Sequence, residues 1–206
     1  MGPIPYRIET ERLVVRCWEP RDAPLLKAAL DASLDHLRPW MPWAAFEPSP
    51  LDEVVERLRR FRGQFDLDQD HVMGVLTPDE GEAVGGTGFH ARQGPNALEI
   101  GYWIAAAQEG RGLMSEAVAA LTHAAFELVG VDRVTIVCDP ANVRSAGVPR
   151  RLGFVEEGVL RARIERGDGR SSDALSFSLF PEEFRASPCA SARYRAFDAA
   201  GRELVA

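Results

Sequence analysis

Gly110 and Gly112 flank a single arginine at the head of a periodic apolar run, an arrangement suited to holding an anion. A residue without Cβ lets the chain enter conformations that other residues avoid, and it lets a ligand approach the main chain closely. Leu113, Val118, Leu121, Ala125 and Leu128 then recur at helical spacing. The amides of residues 110–114 should therefore point outward at a helix N-terminus, where unpaired N–H groups and the helix dipole favour phosphate. Two phosphate motifs can be tested against the string. A Walker A loop needs lysine after its second glycine and then Ser or Thr, and the chain contains no such string. The dinucleotide fingerprint is nearly matched by Gly110-Arg-Gly112-Leu-Met-Ser115, with Asp139 ending the next strand. However, six residues, Ala105 to Gly110, separate that turn from Ile104, and the chain beyond Asp139 is too short for further strand-helix-strand units. A nucleotide oxidoreductase is marked down accordingly.

Composition narrows the field further. A chain of 206 residues with 46% hydrophobic content can bury one sizeable core. The expected organisation is one domain over residues 1–186 and a C-terminal tail over 187–206. Ala200-Gly201 in that tail sits between alternating residues and suits a hairpin, disorder being the alternative. Net charge of -7, from 24 basic and 31 acidic residues, disfavours a nucleic-acid partner; it suits cationic partners or plain solubility. Cys17, Cys138 and Cys189 are few and scattered, so no disulfide framework is indicated. His36, His71, His90 and His123 show no metal-ligand spacing, and no metal is expected. With no apolar run long enough for a membrane and no leader-like start, the expectation is a cytoplasmic protein without a membrane partner.

The elements that must position the glycine turn can be read from periodicity. Residues 8–18 alternate as a first strand, and Pro20 and Asp22 open a helix through about Ser33. In LRPWMPW, Pro39 and Pro42 interrupt regular structure, leaving Trp40, Met41 and Trp43 either to line a substrate cleft or to plug the core. Residues 50–66 form a helix with Val54, Leu58, Phe61 and Phe65 on its buried face. Strands are expected at 70–77 and 83–91, with a bulge at Gly85-Gly86, and a central strand at 97–104. The helix after the glycine turn spans 112–129 and ends at Gly130. A β-branched strand at 133–138, a short helix at 142–152 containing Pro149, and strands at about 154–166 and 173–180, joined at Gly167-Asp-Gly169, complete the chain. A strand, a crossover helix and a second strand imply parallel pairing at the centre.

The strings EIGYWI, EGRGLMSEAV and DRVTIVCDPANVRSAGVPRRLGF, preceded by TERLVVRCWEPRDA and LRPWMPW and followed by EEGVLR and GDGR, cover roughly residues 8–184. In this order they resemble the GNAT superfamily of acyl-CoA-dependent N-acetyltransferases, the RimJ/RimL branch in particular. The resemblance implies an α/β fold: a mixed, mainly antiparallel twisted sheet with splayed central strands and flanking helices. It implies that acetyl-CoA is the cosubstrate, with Gln108, Glu109, Gly110, Arg111, Gly112, Leu113 and Met114 cradling its pyrophosphate. The backbones of Trp103 and Ile104 would meet the pantetheine arm inserted between the splayed strands. Asn142 would contact the cofactor, unless it only caps its helix, and Arg151, with Arg150 beside it, would meet the 3'-phosphate. One departure is visible, since the usual Gln or Arg of the Q/R-x-x-G-x-G signature is replaced by Ala107, with Gln108 one place later.

Amide formation from a thioester needs a free amine, a held carbonyl and a proton donor for the thiolate. On the resemblance Glu99 is the base, the alternative being a strand-edge ion pair. The tyrosine that many relatives use as donor falls here on Pro149, which has no donor, and Ser145 is expected in its place. Trp40 and Trp43 are the candidate substrate-binding residues. The acceptor is a primary amine on a protein N-terminus, an antibiotic or a small metabolite. A larger donor such as succinyl-CoA, a CoA-binding module without catalysis, and a homodimer are the open alternatives.

Overall fold

The computed structural model describes residues 2–166 and 170–205. The segment read as one strand over 8–18 is a hairpin, β1 (Arg7–Glu9) and β2 (Val14–Cys17). A contact distant in sequence fixes the break. Glu116 accepts from the Thr10 hydroxyl at 2.6 Å, the Arg12 amide at 3.0 Å and Arg12 Nε at 2.6 Å, pinning the turn to the start of a later helix. Local alternation of apolar residues carries no sign of that clamp.

Helix α1 (Ala23–Asp31) is followed by a short α2 (Leu34–Leu37), which periodicity missed because four residues cannot show a period. The prolines of LRPWMPW lead into a 3-10 segment at Pro42–Phe46. Helix α3 (Leu51–Asp66) buries Val54, Leu58 and Phe65, as its pattern requires. Strands β3 (His71–Leu76), β4 (Ala83–His90) and β5 (Ala97–Ile104) form an antiparallel meander. The bulge in β4 falls at Val84, between the pairs Val75–Gly85 and Leu76–Ala83, one residue before the glycines. Gly85 and Gly86 serve another purpose: a Cβ would stand 2.3 Å from the Trp103 carbonyl oxygen at Gly85 and 2.4 Å from the Trp103 indole nitrogen at Gly86.

After the glycine turn, α4 (Leu113–Ala124) crosses the sheet, continues through a π turn at Ala125–Val129 and stops at Gly130, whose φ is 74°. Strand β6 (Arg133–Cys138) lies parallel to β5. Helix α5 (Val143–Arg151) and the strands β7 (Val155–Glu165) and β8 (Ser171–Leu179) come next, with β8 inserted between β6 and β7. The turn expected at Gly167-Asp-Gly169 lies outside the described residues. Beyond α6 (Pro181–Ala186), the tail forms β9 (Arg195–Phe197) and β10 (Glu203–Leu204), a hairpin that extends the sheet along β1. The strand order is β10-β9-β1-β2-β3-β4-β5-β6-β8-β7.

One buried cluster, with α4 at its centre, joins Ile8, Phe89, Leu98, Ile100, Leu121, Ile136 and Phe177. A second, smaller one gathers Trp18, Leu30, Leu58 and Leu76 with α1 and α3. Side chains alternate across a strand. Leu98, Ile100, Tyr102 and Ile104 of β5 accordingly pack with the first cluster and Trp103 with the second.

Candidate active site

The parallel ladder between β5 and β6 pairs Ala97 with Arg133, Leu98 with Val134 and Glu99 with Thr135, and continues no further. Beyond Glu99, β5 stays paired to β4 as far as Ile104, while β6 stays paired to β8 as far as Cys138. The two strands diverge, and a cavity of about 750 Å³ opens where they part. Its walls include Tyr102, Trp103 and Ile104 of β5, the turn Glu109, Gly110 and Gly112 with Leu113 and Met114, and the first turn of α5.

Ladder parity decides which main-chain groups face this gap. Ala105 N–H donates to the Val84 carbonyl at 2.9 Å, and the register sets Trp103 opposite Gly86. In an antiparallel ladder, hydrogen-bonded and non-bonded pairs alternate, so Trp103 spends its N–H and C=O on β4. The groups of Tyr102 and Ile104 point to the open side. Of the two residues expected to present free backbone, Ile104 does so and Trp103 does not; Tyr102 takes its place.

The glycine turn has the geometry its sequence asks for. Gly110 and Gly112 sit at φ of 72° and 75°, and Gly112 is the N-cap of α4. A Cβ at Gly110 would meet nothing within 4 Å, so the space above this turn is open to a ligand. Two side chains expected at the cofactor turn elsewhere. Gln108 is buried, donates to Glu82 at 2.7 Å and accepts from Arg111 Nη1, so both brace the turn from behind. Glu109 does line the cavity, held at 2.6 Å by Arg144 of α5, with His36 Nε2 at 3.6 Å. His36 and Arg144 escaped the sequence reading because α2 and α5 meet the turn only through the fold.

On the opposite wall, Asn142 caps α5, its side-chain oxygen accepting from Ser145 N–H at 3.1 Å. Pro149 lies inside this helix and has no N–H, so the Ser145 carbonyl one turn earlier has no helical donor. Tyr102 supplies one: its hydroxyl donates to that carbonyl at 2.9 Å and accepts from Ser145 Oγ at 3.3 Å. Burial raises the Tyr102 phenol well above its ordinary pKa, so the ring stays protonated and orients Ser145. The need for a donor was legible in the sequence, because a proline inside a helix orphans the carbonyl four residues back; that Tyr102 supplies it follows from the fold. Arg151 also lines the cavity and donates to Ser115 Oγ at 3.2 Å across the helix-start. Arg150 points away, to Glu156 at 2.7 Å and over the Phe177 ring.

Glu99 stands on β5 at the last parallel pair, with 15% of its side chain exposed, and is not among the cavity walls. Arg92 contacts its Oε1 at 3.0 Å and Gln93 its Oε2 at 2.5 Å. Of the two tryptophans, Trp40 lines the cavity with Met41, while Trp43 packs edge-on against Trp103 with ring centroids 6.0 Å apart. Among the described residues no group of three or more His, Cys, Asp or Glu is placed to hold a metal, and no helix is long and apolar enough to cross a membrane. The three cysteines are unpaired and buried.

A turn of outward amides, a splayed strand with unspent backbone groups and an aligned hydroxyl fit a long phosphorylated cosubstrate, and comparison with known proteins agrees. Residues 12–155 match the family model described as an acetyltransferase (GNAT) domain. The protein YdaF of Bacillus subtilis (strain 168) is 32% identical over 84% of this chain and 94% of its own. The [ribosomal protein uS5]-alanine N-acetyltransferase of Escherichia coli (strain K12) is 31% identical over 75% of this chain and 81% of its own. In three dimensions, Mycobacterium smegmatis RimJ in complex with CoA-disulfide superposes with a TM-score of 0.79 at 25% identity, covering 94% of this chain and 99% of that one. The chain belongs to the GNAT family of acetyltransferases and is an N-acetyltransferase.

Proposed function

We propose that the chain transfers the acetyl group of acetyl-CoA directly to the α-amine of a polypeptide N-terminus in a ternary complex. The observation that supports this reading most is the end of the β5–β6 ladder at Glu99, which opens the cavity beside the glycine turn. Acetyl-CoA brings an activated carbonyl and a thiolate leaving group. The amides from Gly110 to Met114 would hold its pyrophosphate at the N-terminus of α4. Arg151, beside Ser115, adds positive charge there. The free backbone groups of Tyr102 and Ile104 would bond the pantetheine amides as a missing strand would.

Ser145 Oγ, held beside Tyr102, is the proposed donor to the departing thiolate, its one proton turning from the Tyr102 oxygen to the sulfur. The ammonium of the acceptor would approach on the face of Glu99, whose carboxylate supplies attraction. Trp40 and Met41 at the cavity rim would contact the acceptor. A polypeptide acceptor is favoured over an antibiotic or metabolite by the relative that acts on ribosomal protein uS5. The net charge of -7 also suits a basic polypeptide, and a ribosomal acceptor would place the reaction in the cytoplasm.

The test is thiol release from acetyl-CoA over a panel of N-terminal peptides, aminoglycosides and small amines. Release that depends on a peptide is the expected result. Acetyl-CoA binding without release on any amine would instead mark a CoA-binding module without catalysis.

A further inference from the structure

His90 ends β4 and stands directly opposite Glu99 in the β4–β5 register. Its Nδ1 lies 2.5 Å from Asp70 Oδ1, just before β3. Among the described residues its Nε2 has no hydrogen-bond partner. Residues opposite one another in an antiparallel pair point to the same face, so the His90 ring shares the face of Glu99, Gly101 and Trp103. Gly101 keeps that nitrogen reachable, since a Cβ there would stand 3.4 Å from Nε2. The Asp70 carboxyl is held below its ordinary pKa: burial works against this, while the hydrogen bond from His90, the charge of Arg92 and the His71 amide favour the ionised form. An ionised carboxylate on Nδ1 fixes the tautomer that leaves Nε2 as the open acceptor. Glu99 differs in kind, because Arg92 and Gln93 already occupy both of its oxygens.

We propose that His90 is a catalytic residue of the acetyl transfer, its Nε2 taking the proton of the incoming ammonium while Asp70 holds the ring and Glu99 supplies the counter-charge. This rests on the N-acetyltransferase reading above. One ammonium proton passes to Nε2 and on to solvent. The free amine attacks the thioester carbonyl, forming the C–N bond. The C–S bond breaks, Ser145 passes its proton to the thiolate, and the second proton of the nitrogen replaces it on Ser145 by way of solvent. Amide, free thiol and one solvent proton balance the ammonium and the thioester.

The test uses the peptide that the wild-type enzyme acetylates fastest. His90→Ala should lower kcat by about 100-fold or more, with KM for acetyl-CoA within about twofold. Added imidazole should restore at least about tenfold of the loss, which a merely structural histidine would not allow. His90→Gln, which can keep a hydrogen bond to Asp70, should be as slow as His90→Ala, and Asp70→Asn should lose about tenfold. Activity of His90→Gln near wild type, or a His90→Ala loss that imidazole leaves untouched in a variant still binding acetyl-CoA, overturns the assignment. A wild-type enzyme that releases no thiol with any amine overturns the transferase reading and this assignment with it.

Discussion

Pro149 shows how one residue type shapes a site it never touches chemically. It removes a donor from α5, the Ser145 carbonyl accepts from Tyr102 at 2.9 Å, and Ser145 Oγ thereby stands beside a protonated phenol. Ser145→Ala should lower kcat by about 10- to 100-fold with acetyl-CoA affinity nearly unchanged, because the lost interaction belongs to the transition state. Equal loss of affinity would mark Ser145 as a binding residue. Pro149→Ala restores the helical N–H, which competes with Tyr102 for the same carbonyl. That variant should lower kcat several-fold without weakening acetyl-CoA binding, as read by steady-state kinetics and titration. At this scale the sequence disclosed residue types that act through backbone geometry: Gly110, Gly112, and Asn142 as a cap. It did not disclose where the long side chains of Gln108 and Arg111 go. Their direction depends on Glu82, in the turn that leads into β4 and far from them in sequence.

Elements with a strong period were legible: α3, β3 to β6 and α4 lie within a few residues of their expected bounds. The hairpin β1–β2 was not, because its break is imposed by Glu116 on α4. Removing that carboxylate leaves the Arg12 amide and the Thr10 hydroxyl without their acceptor. Glu116→Ala should therefore cost about 2 kcal/mol, two or three modest hydrogen bonds' worth, seen as a lower urea midpoint. Because this turn borders the glycine loop through Arg12, which donates to the Arg111 carbonyl at 3.1 Å, acetyl-CoA affinity should fall as well. An unchanged urea midpoint would show that the turn holds without the clamp.

For the whole molecule, the tail extends the sheet by pairing β9 with β1, and Tyr194 seats it with its ring 5.2 Å from His123. Partial burial pushes the Tyr194 phenol up to about 12, and Tyr6, also partly buried and bonded to Asp66, rises to about 12. A group that is harder to ionise when folded stabilises the fold fully below its unfolded pKa near 10, and that contribution is lost as pH rises towards 12. Carboxyls held low work in the opposite direction. Glu80 is pulled down by Arg16 and Arg7 against its burial, and Asp139 by the Ala141 amide, Ser172 and Arg166 against its own. Their stabilisation is present above about pH 4 and lost as pH falls below it. Thermal melts should show a plateau between these limits, and Tyr194→Phe should flatten the alkaline limb. The same limb in Tyr194→Phe and wild type would mean that the tail is not seated by this ring.

The overall architecture was legible because a strand, a glycine turn, a crossover helix and a second strand leave few ways to pair. The width of the gap was not, since it depends on β5 and β6 parting after Glu99 while each keeps its outer neighbour, β4 and β8. Everything proposed for this chain rests on acetyl-CoA entering that gap, and isothermal titration of acetyl-CoA into wild type and Gly110→Val puts it to the test. A β-branched residue at φ of 72° is strained, and its Cβ would enter the space assigned to pyrophosphate. One acetyl-CoA should bind per wild-type chain, with an affinity lower by roughly 5- to 150-fold in the variant, the equivalent of about 1 to 3 kcal/mol. Equal affinity in the two proteins, or no binding to the wild type, would remove acetyl-CoA from the gap.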